Sequence, residues 1–287
     1  MLEELTADSV YATIMMQEPQ PRAVLLVEGP DDDMMLGDHL RPGVIGIVCG
    51  SRGVVVDAVV IAEGEGRQEV FGLIDRDVVR EVSGTESLPG GVVTTTNYDL
   101  TADVAAARPG AIRMAVAAHA YREARLVADA RGQDIEFAII ELASFFAGVR
   151  IAVQRAGYPI RLDGFDFSRV VGTNLETLGL EAFAAHLRVT KPEAFQWSDT
   201  VLDELRASAA SSAGVRELCG GHDIAGAAYG FVKAAGGGNF SRSAFEASIR
   251  VHATCELLMI IPCVMELHRR CLATTGVQMF DCIDTAA

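Results

Sequence analysis

The chain has 287 residues, half of them apolar, with 39 acidic and 24 basic side chains and a formal net charge of −15. That length and apolar share allow a sizeable core, as one large or two small domains. The acidic balance argues against tight unaided capture of nucleic acid, which is attracted by basic surface.

Residues 1–20 read as a short helical lead-in that closes at Glu18-Pro19-Gln20-Pro21. A strand at 23–27, a helix near 31–40, a strand at 44–49 and a helix at 54–63 follow. Next come a strand at 69–75, a turn-rich excursion at 80–91, a strand at 92–96 and a helix from about 101. Strands alternating with helices imply right-handed βαβ units and a parallel sheet. From 110 onward the spacing turns helical, over 110–131, 134–157, 173–188, 199–209, 222–235 and 243–274, with one candidate strand near 160–162. The expected fold class is α/β: a Rossmann-like parallel sheet followed by a mainly helical region. The cut falls near Arg108-Pro109-Gly110, giving a catalytic domain over 1–108 and a helical domain over 109–287.

Charge is uneven across that cut. Residues 1–108 hold 19 acidic and 7 basic side chains, a balance of −12, whereas 109–287 hold 20 and 17. There is no signal-peptide pattern, and the apolar run 257–265 is too short to span a bilayer and lies between Glu256 and Glu266. A soluble, cytoplasmic protein is expected. The six cysteines show no Cys-x-x-Cys; Cys255, Cys263 and Cys271 recur at eight-residue spacing in an apolar helical stretch and read as buried free thiols.

Two strands end abruptly in acids. Val24-Leu25-Leu26-Val27 runs into Glu28-Gly29-Pro30-Asp31-Asp32, and Val70-Phe71-Gly72-Leu73-Ile74 runs into Asp75-Arg76-Asp77. In open α/β sheets, ligands bind beyond the carboxyl ends of the strands. Glu28, Asp32, Asp75 and Asp77 crowded there would repel one another, and a divalent cation resolves the repulsion. Mg2+ is the expected ion, with Mn2+ as the alternative.

The same residues resemble the TOPRIM domain of topoisomerases, primases and OLD-type nucleases, with its Glu-Gly turn after the first strand and Asp-x-Asp after the third. The detail is similar to the single-domain TOPRIM proteins of bacterial anti-phage systems such as PARIS. The motifs carrying the likeness are Val27 to Asp32, Gly50-Ser51-Arg52-Gly53, Asp75-Arg76-Asp77, Thr94 to Asp99, and Gly221-His222-Asp223. The resemblance implies a metal-dependent nuclease in which Glu28 is a metal ligand or general acid/base. It also implies a toxic effector of antiviral defence, held in check by an ABC-type ATPase partner and acting on DNA or RNA, tRNA included. Homo-oligomerisation is compatible with that reading.

Several residues stay open between two roles. Asp32 either faces the crevice or caps the helix after the first strand. Asp75 and Asp77 alternate on what reads as an extended segment, which would point both carboxylates one way. Asp99 either ligates the metal or caps the next helix, and the acid the family places two residues later is replaced by Thr101, with Asp103 the next acid available. The Gly50 to Gly53 turn either receives a phosphate on its N–H groups, with Arg52 assisting, or is structural. Asp223 either caps the helix it introduces or belongs to a turn that returns to the active edge. His222 could donate to a leaving group and Lys233 could offset developing charge. The other five histidines, His39 among them, fit no ligand spacing.

Two other functions compete. Asp75-Arg76-Asp77-Val78 literally satisfies the signature of haloacid-dehalogenase-like phosphatases, but two βα units precede it and Glu28 would go unexplained. A non-catalytic TOPRIM module that only binds or regulates is the third reading.

Overall fold

A computed structural model of the chain describes residues 5–84, 86–157, 165–190, 199–212 and 214–282. Two compact units emerge: Met1–Arg76 with Thr85–Ala107 and Arg250–Ala287, and Asp77–Gly84 with Arg108–Ile249.

The first unit is built on four parallel strands, β1 (Ala23–Val27), β2 (Val44–Val48), β3 (Val70–Ile74) and β4 (Val92–Thr94), in the order β2-β1-β3-β4. Every residue of β1 and β3 is buried, as their unbroken apolar runs require of central parallel strands. Helices α1 (Ala7–Met15), α2 (Pro30–Leu36) and α3 (Arg52–Gly64) belong to this unit. One sheet face, with Val24, Leu26, Val70, Ile74 and Val92, packs against Val10 and Ile14 of α1 and Val55, Ala58, Val59 and Ala62 of α3. The expected α/β class is the observed one.

Gly72 sets how closely α3 approaches. A Cβ placed there would lie 2.7 Å from Val55 Cγ1 and 3.4 Å from Val59 Cγ2. Gly72→Ala is therefore expected to cost about 1–3 kcal/mol by overpacking. Urea unfolding measures this, and an unchanged midpoint would show that α3 can shift at no cost.

Between β3 and β4 lies the short helix α4 (Val79–Ser83), and after β4 comes α5 (Leu100–Ala107). The second unit contains α4 and adds α6 (Ala111–Arg131), α7 (Ile135–Arg155), α8 (Gly179–Thr190), α9 (Asp199–Ser212), α10 (Gly221–Ala234) and α11 (Arg242–Arg250), whose last residue belongs to the first unit. The aromatic centre of the second unit is Phe146 with Phe165, Phe167 and Phe183. Helix α8 begins later than the spacing predicts, because Val171 and Thr177 pair across a tight turn in which Leu175 has φ +62°. The candidate strand near 160–162 lies outside the described residues.

The run 243–274 differs most from expectation. It forms α11, α12 (Cys255–Leu258) and α13 (Pro262–Thr275) instead of one helix. Thr254 and Ile261 are extended, and Pro262 opens α13 without an N–H to continue a preceding helix. The chain thereby returns to the first unit, where α13 packs on β3 and β4, so residues 250–287 group with the sheet and not with the helices before them. Among the described residues, no helix is long and apolar enough to cross a membrane.

Candidate functional site

The strand order makes a switch point. From β1 the chain moves outward to β2, then crosses back to β3 on the other side of β1 and on to β4. Right-handed connections running in opposite directions leave a crevice between β1 and β3 at their carboxyl ends. Glu28 follows β1 there and Asp75 follows β3.

The two meet. Glu28 Oε1 accepts a hydrogen bond from the Asp75 backbone N–H at 2.7 Å. A carboxylate offers about four lone-pair sites, so accepting one amide is compatible with holding a cation. The Glu28 carbonyl accepts from Gly50 N–H at 2.9 Å, which brings the turn after β2 to the same edge. Gly50 has φ +84°, a left-handed conformation that glycine adopts without strain.

The neighbouring residues divide by role. Asp32 Oδ2 accepts from Gly29 N–H at 3.1 Å, closing the first turn of α2, so the capping geometry is the one observed. Burial raises its carboxyl pKa above the usual range, partly countered by that hydrogen bond. Ser51 caps α3. The Arg52 guanidinium donates to the Asp75 carbonyl and to the Glu86 carboxylate. Its described contacts fasten the end of β3, as the structural reading of the turn has it. Burial, and after it the Glu28 charge, pushes the Cys49 thiol up to about 12, which keeps it protonated beside the crevice.

The reading of Asp75 and Asp77 as alternating on an extended segment is corrected. Strand β3 ends at Ile74, and Asp77 has φ +51°, in the left-handed region, so the alternation of a strand does not apply. Asp77 also belongs to the second unit.

At the end of β4, Asp99 Oδ1 accepts from Ala102 N–H at 2.7 Å, the cap of α5. Asp103 is 2 % exposed and accepts from the N–H groups of Thr96 (2.9 Å) and Asn97 (2.7 Å). It clamps the turn after β4, a structural employment for the next acid after Thr101. Beside this turn runs a cleft of about 850 Å³ lined by Thr94, Thr96, Glu266, Arg269 and Arg270, which no sequence pattern indicated because its walls come from β4 and α13.

In the second unit, Asp223 is no N-cap. Gly220 holds that position, and Asp223, inside α10, forms a two-pronged pair with Arg150 at 2.6 and 2.7 Å. His222 Nδ1 lies 2.7 Å from Glu246 Oε1. Lys233 donates to Asp166 at 3.2 Å and stands over the Tyr229 ring. Eleven residues separate His222 from Lys233 on one helix, roughly 16 Å of axis, so the two do not serve one reacting group.

Comparison with protein-family models and with curated proteins finds no match to this chain. Glu28 and Asp75 carry carboxylates, hard oxygen donors of the kind magnesium prefers, and both follow strands at the switch point.

Sequence reasoning passed over another group. Among the described residues, one set of three His, Cys, Asp or Glu side chains has ligand atoms all within 4.8 Å of one another: His39, Cys255 and Cys282. Cys263 and Cys271 are buried thiols as expected, with Cys263 pushed well above its ordinary pKa by burial and then by Asp103. Cys255 departs from that expectation. It is half-buried, 3.5 Å from His39 Nδ1, and 216 residues separate the two, a distance in sequence that no spacing rule spans.

Proposed function

We propose that the chain is a magnesium-dependent nuclease of the TOPRIM type, a metal-dependent phosphodiester hydrolase. The observation that carries this reading is the Glu28 carboxylate resting on the Asp75 amide at the switch point of the sheet. When bound, magnesium neutralises the scissile phosphate and supplies an activated water. Asp75 and Glu28 would hold the ion, and Glu28 would take or return a proton. Arg52 keeps the end of β3 in place through the Asp75 carbonyl. Arg269 and Arg270 both pair with Glu266 and leave one net positive charge along the cleft beside β4, where a polyanion can be guided. The resemblance of the motifs extends the proposal to an anti-phage effector controlled by an ATPase partner.

The test is direct. Purified chain, alone and with the protein encoded next to it, is incubated with magnesium and a mixture of DNA, RNA and tRNA. Magnesium-dependent cleavage in either arm supports the reading; none in any arm, with manganese also tried, sinks it.

The isolated chain is expected to bind nucleic acid weakly. A balance of −12 over residues 1–108 opposes capture of a polyanion, and one or two bound magnesium ions offset only part of it. Binding to tRNA and duplex DNA at physiological salt should be micromolar or weaker. Nanomolar affinity for the chain alone would show that no partner is needed for capture.

A further inference from the structure

We propose that His39, Cys255 and Cys282 form a second metal site, for zinc or a similarly thiophilic divalent cation, distinct in chemistry from the carboxylate edge. All three belong to the first unit, are half-buried, and have ligand atoms within 4.8 Å of one another. Two sulfurs and an imidazole nitrogen are the donors that soft and borderline cations select, and magnesium does not.

The geometry supports this in three ways. His39 Nε2 lies 2.9 Å from the Ala253 carbonyl, which can only accept, so the ring proton sits on Nε2 and the Nδ1 lone pair faces Cys255. A backbone carbonyl that fixes the tautomer of a histidine is the usual support of a metal-bound imidazole. The separation also fits: tetrahedral zinc, with bonds of about 2.3 Å to sulfur and about 2.05 Å to nitrogen, holds such a pair about 3.55 Å apart, and Nδ1 lies 3.5 Å from Cys255 Sγ. Finally, the ligands sit on braced backbone. Asp281 N–H donates to the His39 carbonyl at 2.9 Å, Arg41 N–H to the Met279 carbonyl at 3.0 Å, and the Arg41 side chain pairs with Asp281 at 2.8 Å.

Two thiolates and a neutral imidazole balance the charge of Zn2+ and leave a fourth position for water. On binding, each thiol loses its proton to solvent and both sulfurs bond the metal, with no change of oxidation state. The ion would tie together the segment after α2, the start of α12 and the segment after α13. Its role is a staple of the first unit, independent of the nuclease reading.

The experiment uses the full chain, purified under reducing conditions and stripped with a chelator. Zinc is titrated with a competing indicator, and cobalt is used as an optical probe. One zinc per chain, a thiolate-to-cobalt charge-transfer band, and a rise in melting temperature with zinc are expected. Cys255→Ser and Cys282→Ser should each weaken zinc binding about 100-fold or more, whereas Glu28→Gln leaves it unchanged and excess magnesium does not displace it. Circular dichroism of the stripped variants confirms that they fold. Wild-type zinc affinity no higher than that of the serine variants overturns the proposal.

Discussion

Glu28→Gln and Asp75→Asn are each expected to abolish magnesium-dependent cleavage, by about 100-fold or more, while leaving the chain folded. The magnitude follows from the proposed role: changes in and around a metal's ligand sphere cost one to two orders of magnitude even when they are indirect, and removing a ligand charge is direct. Retention of the fold follows from the contact made. The amide oxygen of Gln at position 28 can still accept from the Asp75 N–H that Glu28 Oε1 holds at 2.7 Å, so a net contribution of about 1 kcal/mol is kept. Removing one of two neighbouring charges also relieves repulsion in the metal-free protein. The melting temperature without metal should hold or rise slightly, and the stabilisation that magnesium confers on the wild type should disappear. Calorimetric titration of magnesium into wild type and Asp75→Asn separates the readings. Loss of binding and activity together supports the site. Unchanged cleavage by both variants removes these residues from catalysis, and a large loss of stability assigns them to structure.

The sheet and this pair were legible in the sequence because they depend on local pattern. Apolar runs of five residues that stop at an acid define both a buried parallel strand and the edge where the acid emerges. The observed β1 and β3 begin and end within a residue of expectation. Legibility failed where a residue's partner lies far along the chain. Asp223 has an N-cap's residue type at a helix start, but Arg150 on α7 claims it. Asp99 and Asp32 carried equal claims to metal and to cap, and a cap satisfies exposed N–H groups locally without any ligand. The run 243–274 kept helical spacing across two breaks, since a Pro at the first position of a helix leaves the apolar period intact while ending the preceding hydrogen-bond ladder. His39 could not be paired with Cys255 and Cys282, because the return of the chain after Arg250 is a tertiary event.

Asp103→Ala is expected to destabilise the first unit by about 3–6 kcal/mol, a large share of a typical domain's 5–15 kcal/mol. The carboxylate is 2 % exposed, and it satisfies the N–H groups of Thr96 and Asn97, with the Asn97 side-chain amide also bound. Hydrogen bonds to a charged group contribute about 1.5–3 kcal/mol each, and truncation leaves the Asn97 N–H buried without an acceptor and removes the partner of the part-buried Thr96 N–H. Cys263, whose thiol donates to Asp103 Oδ2 at 3.2 Å, loses its acceptor too. Asp103→Asn should fall between wild type and Ala: one oxygen still accepts, but the new amide N–H groups face backbone donors. The damage should also reach the site. Thr95 Oγ1 donates to the Asn97 carbonyl at 2.8 Å and accepts from Arg76 N–H at 2.9 Å, so the turn that Asp103 clamps holds the residue next to Asp75. Magnesium affinity should therefore fall in Asp103→Asn even under conditions where the variant remains folded. Urea unfolding gives the first quantity and calorimetric titration the second. A change below about 1 kcal/mol for Asp103→Ala, within the range of an ordinary surface substitution, would mean that the turn finds other partners and that Asp103 is not what fixes it.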